Sequence, residues 1–352
     1  MPDLPGEVAA VATSVNQRIT ELLESERTRW AEVDPRLPEA IDELARMARG
    51  GKRLRAAFCY YAWLGAGGSM ADEAIAIDAG AAFELLQTFA LIHDDIMDDA
   101  DTRRSEETIH VRQAQRVRDE GWAGEPRRYG EGIALLVGDL AHVYADQLTD
   151  NAPLEARSIW DELRIELNLG QYLDMRAAAA GEVDRTTAQR VATFKSALYT
   201  IVRPLQLGAA LVEDGADPEL QQQLRDFGMP VGQAFQLRDD LLGVLGDATR
   251  VGKPVGNDLR EGKPTELIAI ATDRASSTQL DLLATMGSPG LQDADIAALV
   301  AVLHDTGAID EANRRIDTLV ATAHDALARL PFAPELRETL GVLTKYVAAR
   351  TR

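Results

Sequence analysis

Apolar residues recur at steps of three and four along nearly all of the 352 residues, and this period excludes most folds at once. At the start, Val8, Val11, Val15, Ile19, Leu22 and Leu23 draw a single stripe along one side of a helix. The same period runs through 38–48, 51–64, 71–98, 131–150, 152–180, 186–214, 217–246, 265–287, 292–304, 309–329 and 333–350. No stretch alternates strictly between apolar and polar, and no βαβ rhythm is visible. Frequent Ala and Leu, with aromatic residues at only 5%, lean the same way. The fold expected is all-α.

The length passes the ~250–300 residues at which one core usually stops growing, so one large domain or two ordinary ones are open. The breaks are short. Gly65-Ala66-Gly67-Gly68 separates two helices, 119–130 reads as a surface insertion carrying Trp122 and Tyr129, and 250–264 is the longest Gly/Pro/Lys-rich loop. No Ser/Pro linker divides the chain. A single helical domain over 1–352 is therefore expected, with 1–37 as an N-terminal helix extension.

Charge narrows the function. Lys and Arg number 37 against 57 Asp and Glu, a net −20, which argues against a nucleic-acid partner. It suits a site that binds cations and, through them, anionic ligands. The lone cysteine, Cys59, leaves no internal disulfide and no cysteine-based zinc site, and is expected buried and inert. No run reaches the ~18–20 uninterrupted apolar residues of a membrane span. Met1–Glu7 lacks the basic and apolar regions of a secretory signal, so the cytoplasm is the expected compartment.

Two acidic clusters stand out. In Leu91-Ile92-His93-Asp94-Asp95-Ile96-Met97-Asp98-Asp99, Asp94 and Asp98 are four apart, one turn on one helical face. Like charges there repel, and the C-terminal end of a helix disfavours negative charge, so something cationic must offset them. All-oxygen ligands of this kind suit Mg²⁺, which is usually held by one or two carboxylates plus substrate phosphates. A solvated helix end capped by Arg103 and Arg104 is the plainer alternative. The second cluster, Phe235-Gln236-Leu237-Arg238-Asp239-Asp240, again closes an apolar helix and precedes a loop with Lys253, Asp258 and Lys263. Two such helix ends with nearby cations point to facing walls of one pocket for a magnesium-bridged diphosphate. A third element, Gly50-Gly51-Lys52-Arg53-Leu54-Arg55, reads as a helix start with Lys52 and Arg55 on one face and glycines that let backbone approach an anion.

These motifs, in this order from about Pro38 to Arg350, resemble the trans-isoprenyl diphosphate synthases of the polyprenyl synthetase family. Asp94-Asp95-Ile96-Met97-Asp98 with Arg103-Arg104 resembles the first aspartate-rich motif, and Asp239-Asp240 the second. Gly51-Lys52-Arg53-Leu54-Arg55 is similar to the isopentenyl diphosphate site. Gln171-Tyr172-Leu173-Asp174 and Lys195-Ser196 match positions facing the allylic diphosphate, and Lys253 and Lys263 match the loop lysines. The chain departs from the pattern at Gln87, often His, at Gly243, often a third Asp, and at Ser105 and Ser196, usually Gly and Thr.

The resemblance implies an all-α bundle of the isoprenoid synthase type that condenses an allylic diphosphate with isopentenyl diphosphate, head to tail, as a homodimer. It implies a catalytic set of Asp94, Asp95, Asp98, Arg103, Lys195, Asp239, Asp240 and Lys253, with Mg²⁺ on Asp94, Asp98 and Asp239. Lys52, Arg55, Gln87 and Arg104 would hold isopentenyl diphosphate. Arg103, Lys195, Ser196, Gln236, Lys253 and Lys263 would contact the allylic substrate. Phe89, five residues before Asp94 and about 7.5 Å lower at ~1.5 Å per residue, resembles the chain-length stop of enzymes that make geranylgeranyl diphosphate. Farnesyl diphosphate is the alternative product. A terpene cyclase, with no second diphosphate to bind, and a regulatory synthase subunit are the rival functions. A His-Asp phosphohydrolase is excluded because His93 is the first histidine in the chain.

Overall fold

The computed structural model describes residues 6–181, 184–246 and 256–349. Helix α1 (Gly6–Ala31) buries Val8, Val11, Val15, Ile19 and Leu23, the stripe drawn by the sequence. It is followed by α2 (Pro38–Ala48), α3 (Leu54–Gly65), a single 3₁₀ turn (Met70–Asp72) and α4 (Glu73–Met97). A two-residue hairpin, β1 (Thr102–Arg103) against β2 (Glu106–Glu107), is the whole of the β structure among the described residues. Then come α5 (Ile109–Asp119), α6 (Pro126–Gln147), α7 (Leu154–Ala180), α8 (Arg185–Val191), a π-helical segment (Ala192–Val202), α9 (Arg203–Ala210) and α10 (Pro218–Leu245). The last part holds α11 (Asn257–Glu261), α12 (Glu266–Thr272), α13 (Ser277–Leu283), α14 (Asp293–Asp305), α15 (Ala308–Leu327) and α16 (Pro334–Ala349). The fold is all-α, as the period requires.

Helix α4 is the hub. It packs against α1, α3 and α6, and its residues from Ala79 to Leu86 are buried without interruption. By length and composition alone 70–97 could cross a membrane, but most of its apolar window is buried inside the protein. Its apolarity is that of a core helix. A second long helix, α10, packs against the π segment, α15 and α16. It joins two apolar cores: Val231 and Phe235 belong to the main one, Ala234, Leu237, Leu241 and Val244 to a smaller one beneath α14 and α15.

Several helix boundaries differ from the sequence reading. The expected insertion at 119–130 shrinks to a turn at 120–125, because Glu125 caps α6 through the N–H groups of Arg127 and Arg128, and Pro126 fits the first helical position. Trp122 and Tyr129 do lie exposed, edge to face with centroids 5.8 Å apart. Helix α5 carries too few apolar residues to show a stripe. It is held instead by buried His110 and Gln113 beside Ile109, Ala114 and Val117. The span 265–287 is two helices, because Ser276 and Gln279 form a reciprocal capping box that starts α13.

Close helix contacts depend on glycine. A Cβ on Gly208 of α9 would overlap the Cys59 carbonyl oxygen of α3, and backbone lies on both sides of that contact. Gly208→Ala should lower the unfolding free energy by about 1–3 kcal/mol, despite the ~1 kcal/mol by which Ala favours a helix over Gly. Urea unfolding measures it; unchanged stability would mean that α3 and α9 separate without cost.

Candidate active site

The last turn of α4 presents Asp94 and Asp98, whose backbone groups are joined by the Asp98 N–H donating to the Asp94 carbonyl at 2.8 Å. Two half-buried carboxylates at the negative end of a helix need countercharge, and three other elements bring it. Lys195 of the π segment donates to Asp94 at 3.1 Å and to Asp174 of α7 at 2.7 Å. Lys263, between α11 and α12, reaches Asp98 at 3.1 Å and Glu261 at 2.5 Å. Arg103 of β1 pairs with Asp95 through two nitrogens, at 2.5 and 2.7 Å, and lies 3.6 Å from Asp94. Burial opposes the charge of Asp94, but Lys195, Lys263 and Arg103 overcome it and hold its carboxyl below the ordinary range. Asp98 goes the other way, because burial and the repulsion of Asp94 outweigh Lys263.

Facing this helix end is α10. Asp239, Asp240, Gln236 and Gly243 line, with Asp94, Asp174 and Lys195, a cavity of about 430 Å³. Burial holds the Asp240 carboxyl well above the ordinary carboxylate range, opposed by the bond that Gln236 Nε2 donates to it at 2.7 Å. Gln236 in turn accepts from the Ser196 hydroxyl. Asp240 thus orients Gln236 and Ser196, while Asp239 is the half-buried carboxylate at this end of α10. A Cβ at Gly243 would overlap the Asp258 carboxylate, so the missing third aspartate of this motif leaves room for one arriving from α11.

A second cavity, about 480 Å³, adjoins the first; Asp94, Lys195, Ser196 and Asp239 line both. Its polar wall is basic, with Lys52, Arg53, Arg55, Arg104 and Gln87, and its far wall includes Phe89, Ala90 and Leu167. Lys52 and Arg55 are not on one helical face, contrary to the sequence reading. Positive φ angles at Gly50, Gly51 and Arg53 (75°, 92° and 51°) turn the chain before α3 begins at Leu54, so Lys52 comes from the turn. Arg104, also at positive φ, donates to the Arg49 carbonyl and lies against both glycines. Arg53 is 5% exposed; it pairs with Glu84 of α4 at 2.9 Å and donates to the Ala48 carbonyl at 2.6 Å and Asn16 of α1 at 2.8 Å.

The structure brings Asp94, Asp98, Arg103, Lys195, Ser196, Gln236, Asp239, Asp240 and Lys263 around the first cavity, and Lys52, Arg55, Gln87, Phe89 and Arg104 around the second. Asp95 lines neither; it is buried under Arg103. Lys253 lies outside the described residues. Cys59 is buried, and burial raises its thiol far above the usual range. His93 packs over Gly138 with Nε2 3.2 Å from the Leu135 carbonyl. Residues absent from the sequence reading are Tyr199, Thr200, Glu84 and Glu266, the last accepting from Gln189 at 2.8 Å and from Arg315 at 3.0 Å beside the first cavity. None sits in a charged run that would draw notice.

Among the described residues no three His, Cys, Asp or Glu side chains already converge on a metal position. The carboxylates are instead split between two walls, with oxygen donors only. This fits a hard cation that completes its shell with oxygens from water and a phosphate ligand. The arrangement can therefore hold two anionic ligands, one in an acidic cavity by way of cations and one on a basic wall, with their apolar parts between.

The polyprenyl synthetase family matches residues 35–303. The geranylfarnesyl diphosphate synthase of Aeropyrum pernix is 33% identical over 314 residues, 86% of this chain and 91% of that one. The geranylgeranyl diphosphate synthase of Mycobacterium tuberculosis is 32% identical over 81% of this chain and 77% of its own. Among solved structures, geranylgeranyl pyrophosphate synthase from Corynebacterium glutamicum, complexed with isoprenyl diphosphate and magnesium, superposes with a TM-score of 0.91. It is 33% identical and covers 99% of this chain and 100% of that one.

The buried Arg53–Glu84 pair ties α1, the glycine turn and α4 together. Removing one partner of a buried pair strands the other's charge, so Arg53→Met should cost about 3–5 kcal/mol. Arg53→Met/Glu84→Leu should recover most of that. Chemical denaturation of both variants tests it; equal losses in the two would mean that packing, not charge, is what Arg53 contributes.

Proposed function

The chain belongs to the polyprenyl synthetase family and is an isoprenyl diphosphate synthase, a trans-prenyltransferase, and from that premise we propose that it joins an allylic diphosphate to isopentenyl diphosphate, head to tail, with geranylgeranyl diphosphate as product. The observation that carries the reading is the pair of adjoining cavities, one acidic and one basic, with Asp94, Lys195, Ser196 and Asp239 in the walls of both. A terpene cyclase would leave the basic wall without a ligand. The whole chain acts as one unit, because α10 belongs to both cores and to the site.

Mg²⁺ would be held by Asp94 and Asp98 on one wall and Asp239 on the other. When bound, it supplies Lewis-acid charge that balances the departing allylic diphosphate. The chain's own groups do the rest. Arg103, Lys195 and Lys263, with Lys253 by the family resemblance, bind that diphosphate. Arg contributes forked donors and Lys point charges. Lys52, Arg55 and Arg104, with Gln87, hold isopentenyl diphosphate so that its double bond meets the allylic carbon. The apolar wall excludes water, which would otherwise capture the cation left by ionisation. The proton lost from the new chain goes to the released diphosphate.

Product length is set by Phe89. Its ring lies tilted against those of His93 and His142, with centroid separations of 4.5 and 5.0 Å. Burial lowers the pKa of His142, which favours a neutral imidazole there. A ring in contact with two other rings makes a firm floor for the tail. Relatives named for both geranylgeranyl and geranylfarnesyl products make twenty-five carbons the competing outcome, ahead of fifteen.

The protein works as a homodimer. Exposed apolar side chains collect on α6 and α7, among them Leu136 at 62%, Leu154, Ile165, Leu169 and Tyr172 at 64%. A second copy of the chain would cover them.

The direct test is to incubate the purified protein with labelled isopentenyl diphosphate, each allylic primer and Mg²⁺, and to identify the product by chromatography. Geranylgeranyl diphosphate is expected; failure to extend any primer overturns the reading. Asp94→Ala, Asp98→Ala and Asp239→Ala should each lower turnover roughly a hundred- to a thousandfold with helix content retained, and EDTA should do the same to the wild type. Phe89→Ala should lengthen the products made from one primer. Unchanged length with a lower melting temperature would place the floor elsewhere.

A further inference from the structure

Helix α8 has seven residues and buries only Ala188, yet Ala188, Val191 and the following Ala192 line the acidic cavity. One buried methyl group offers little apolar stabilisation, so polar side chains must do much of the fixing. Glu266, in the first turn of α12 and 6% exposed, accepts from Gln189 Nε2 at 2.8 Å and from Arg185 Nε at 3.4 Å, both of α8. The same oxygen, Oε1, pairs with Arg315 Nη1 of α15 at 3.0 Å. A buried carboxylate needs such partners, and here they come from two other helices. One side chain thus joins α8, α12 and α15.

Both sides of this junction lead to a lysine of the site. Val191 and Ala192 keep helical backbone, with φ −56° at each, so α8 runs into the π segment as one rod that carries Lys195. Lys263 lies three residues before Glu266, in the turn that enters α12, where its carbonyl accepts from the Thr265 N–H at 2.9 Å. Across the cavity the two lysines meet the two carboxylates of one α4 turn, Lys195 at Asp94 and Lys263 at Asp98. Those bonds are given up when a diphosphate takes the ammonium groups, so they cannot hold the lysines in register once the ligand is bound. The Glu266 junction can. Its donors Arg185, Gln189 and Arg315 line neither cavity, so a ligand leaves their bonds intact.

We propose that Glu266 is a positioning residue that fixes the separation of Lys195 and Lys263 across the acidic cavity. It locks the helix that leads into one lysine against the helix that follows the other, and so presets both cations for the diphosphate of the allylic substrate. The inference rests on the functional reading above and gives a role to a residue which that reading does not use.

Steady-state kinetics with both substrates, and calorimetric binding of inorganic diphosphate with Mg²⁺, test it. Glu266→Leu removes all three bonds. The KM for the allylic primer and the dissociation constant for diphosphate should each rise about tenfold, the usual effect of one lost hydrogen bond to a charged group. The KM for isopentenyl diphosphate should stay within about twofold, since Lys52, Arg55 and Arg104 stand on other elements. The double variant Glu266→Gln/Gln189→Glu exchanges carboxylate and amide across the junction. It should bring both values back to within about threefold of the wild type, a rescue that a residue of merely structural role would not give. If Glu266→Leu does not fold, Gln189→Leu carries the test, because it breaks one bond and leaves Glu266 paired with both arginines; the same split is expected at about threefold. Equal effects on the two substrates, unchanged diphosphate binding, or an exchange variant that folds but recovers nothing overturns the assignment. Diphosphate binding is read without turnover, so a wild-type protein that extends no primer would overturn the functional reading alone.

Discussion

Two carboxylates at the wrong end of a buried helix are the constraint around which this protein is arranged. Asp94 and Asp98 sit where the α4 dipole and their own repulsion both disfavour charge. The chain answers with cations from three distant places: the β1 strand, the π segment and the turn after α11. Each cation is itself half-buried and is kept charged by the carboxylates it meets; Lys195 and Lys263 have raised pKa values although burial alone would lower them. Asp94 and the cations around it therefore hold one another ionised, while Asp98 is pushed towards its neutral form. This mutual dependence is suited to a diphosphate with its metal ions, which can take over both sets of partners at once.

The same arrangement explains what could be read from the sequence. Aspartates four apart at the end of an apolar stretch are conspicuous, and so is their recurrence at Asp239-Asp240, because charge in an apolar setting stands against its surroundings. The all-α fold was legible for a similar reason: most helices here bury a single stripe. Helix α5 escaped because Gln113 and His110 take core positions that apolar residues usually fill. The π winding escaped because its apolar residues, such as Ala197, Leu198, Ile201 and Val202, recur at steps an α-helix also allows. Tyr199 and Thr200 went unnoticed as site residues on that account.

The glycine turn shows a third limit. Gly50-Gly51 announces unusual backbone, but the positive φ angles of Arg53 and Arg104 cannot be seen in residues that normally avoid them. Arg53 is held there by its buried bonds to Glu84, Asn16 and Ala48, and Arg104 by the Arg49 carbonyl. The result separates neighbouring arginines and lysines by role. Arg53 is a buried strut at the base of the cavity wall, while Lys52 and Arg55 beside it lie over aromatic rings, Lys52 over Tyr346 of α16 and Arg55 over Tyr199.

The contact between Gly243 and Asp258 has a consequence for how such an enzyme can change over generations. The carboxylate of Asp258 occupies the space a side chain at 243 would need, so the two positions are not independent characters. An acidic residue could enter at 243 only if the Asp258 side chain turned away or became smaller. A lineage that lost the side chain at 243 and let Asp258 settle into the gap would need both positions to adjust together on the way back.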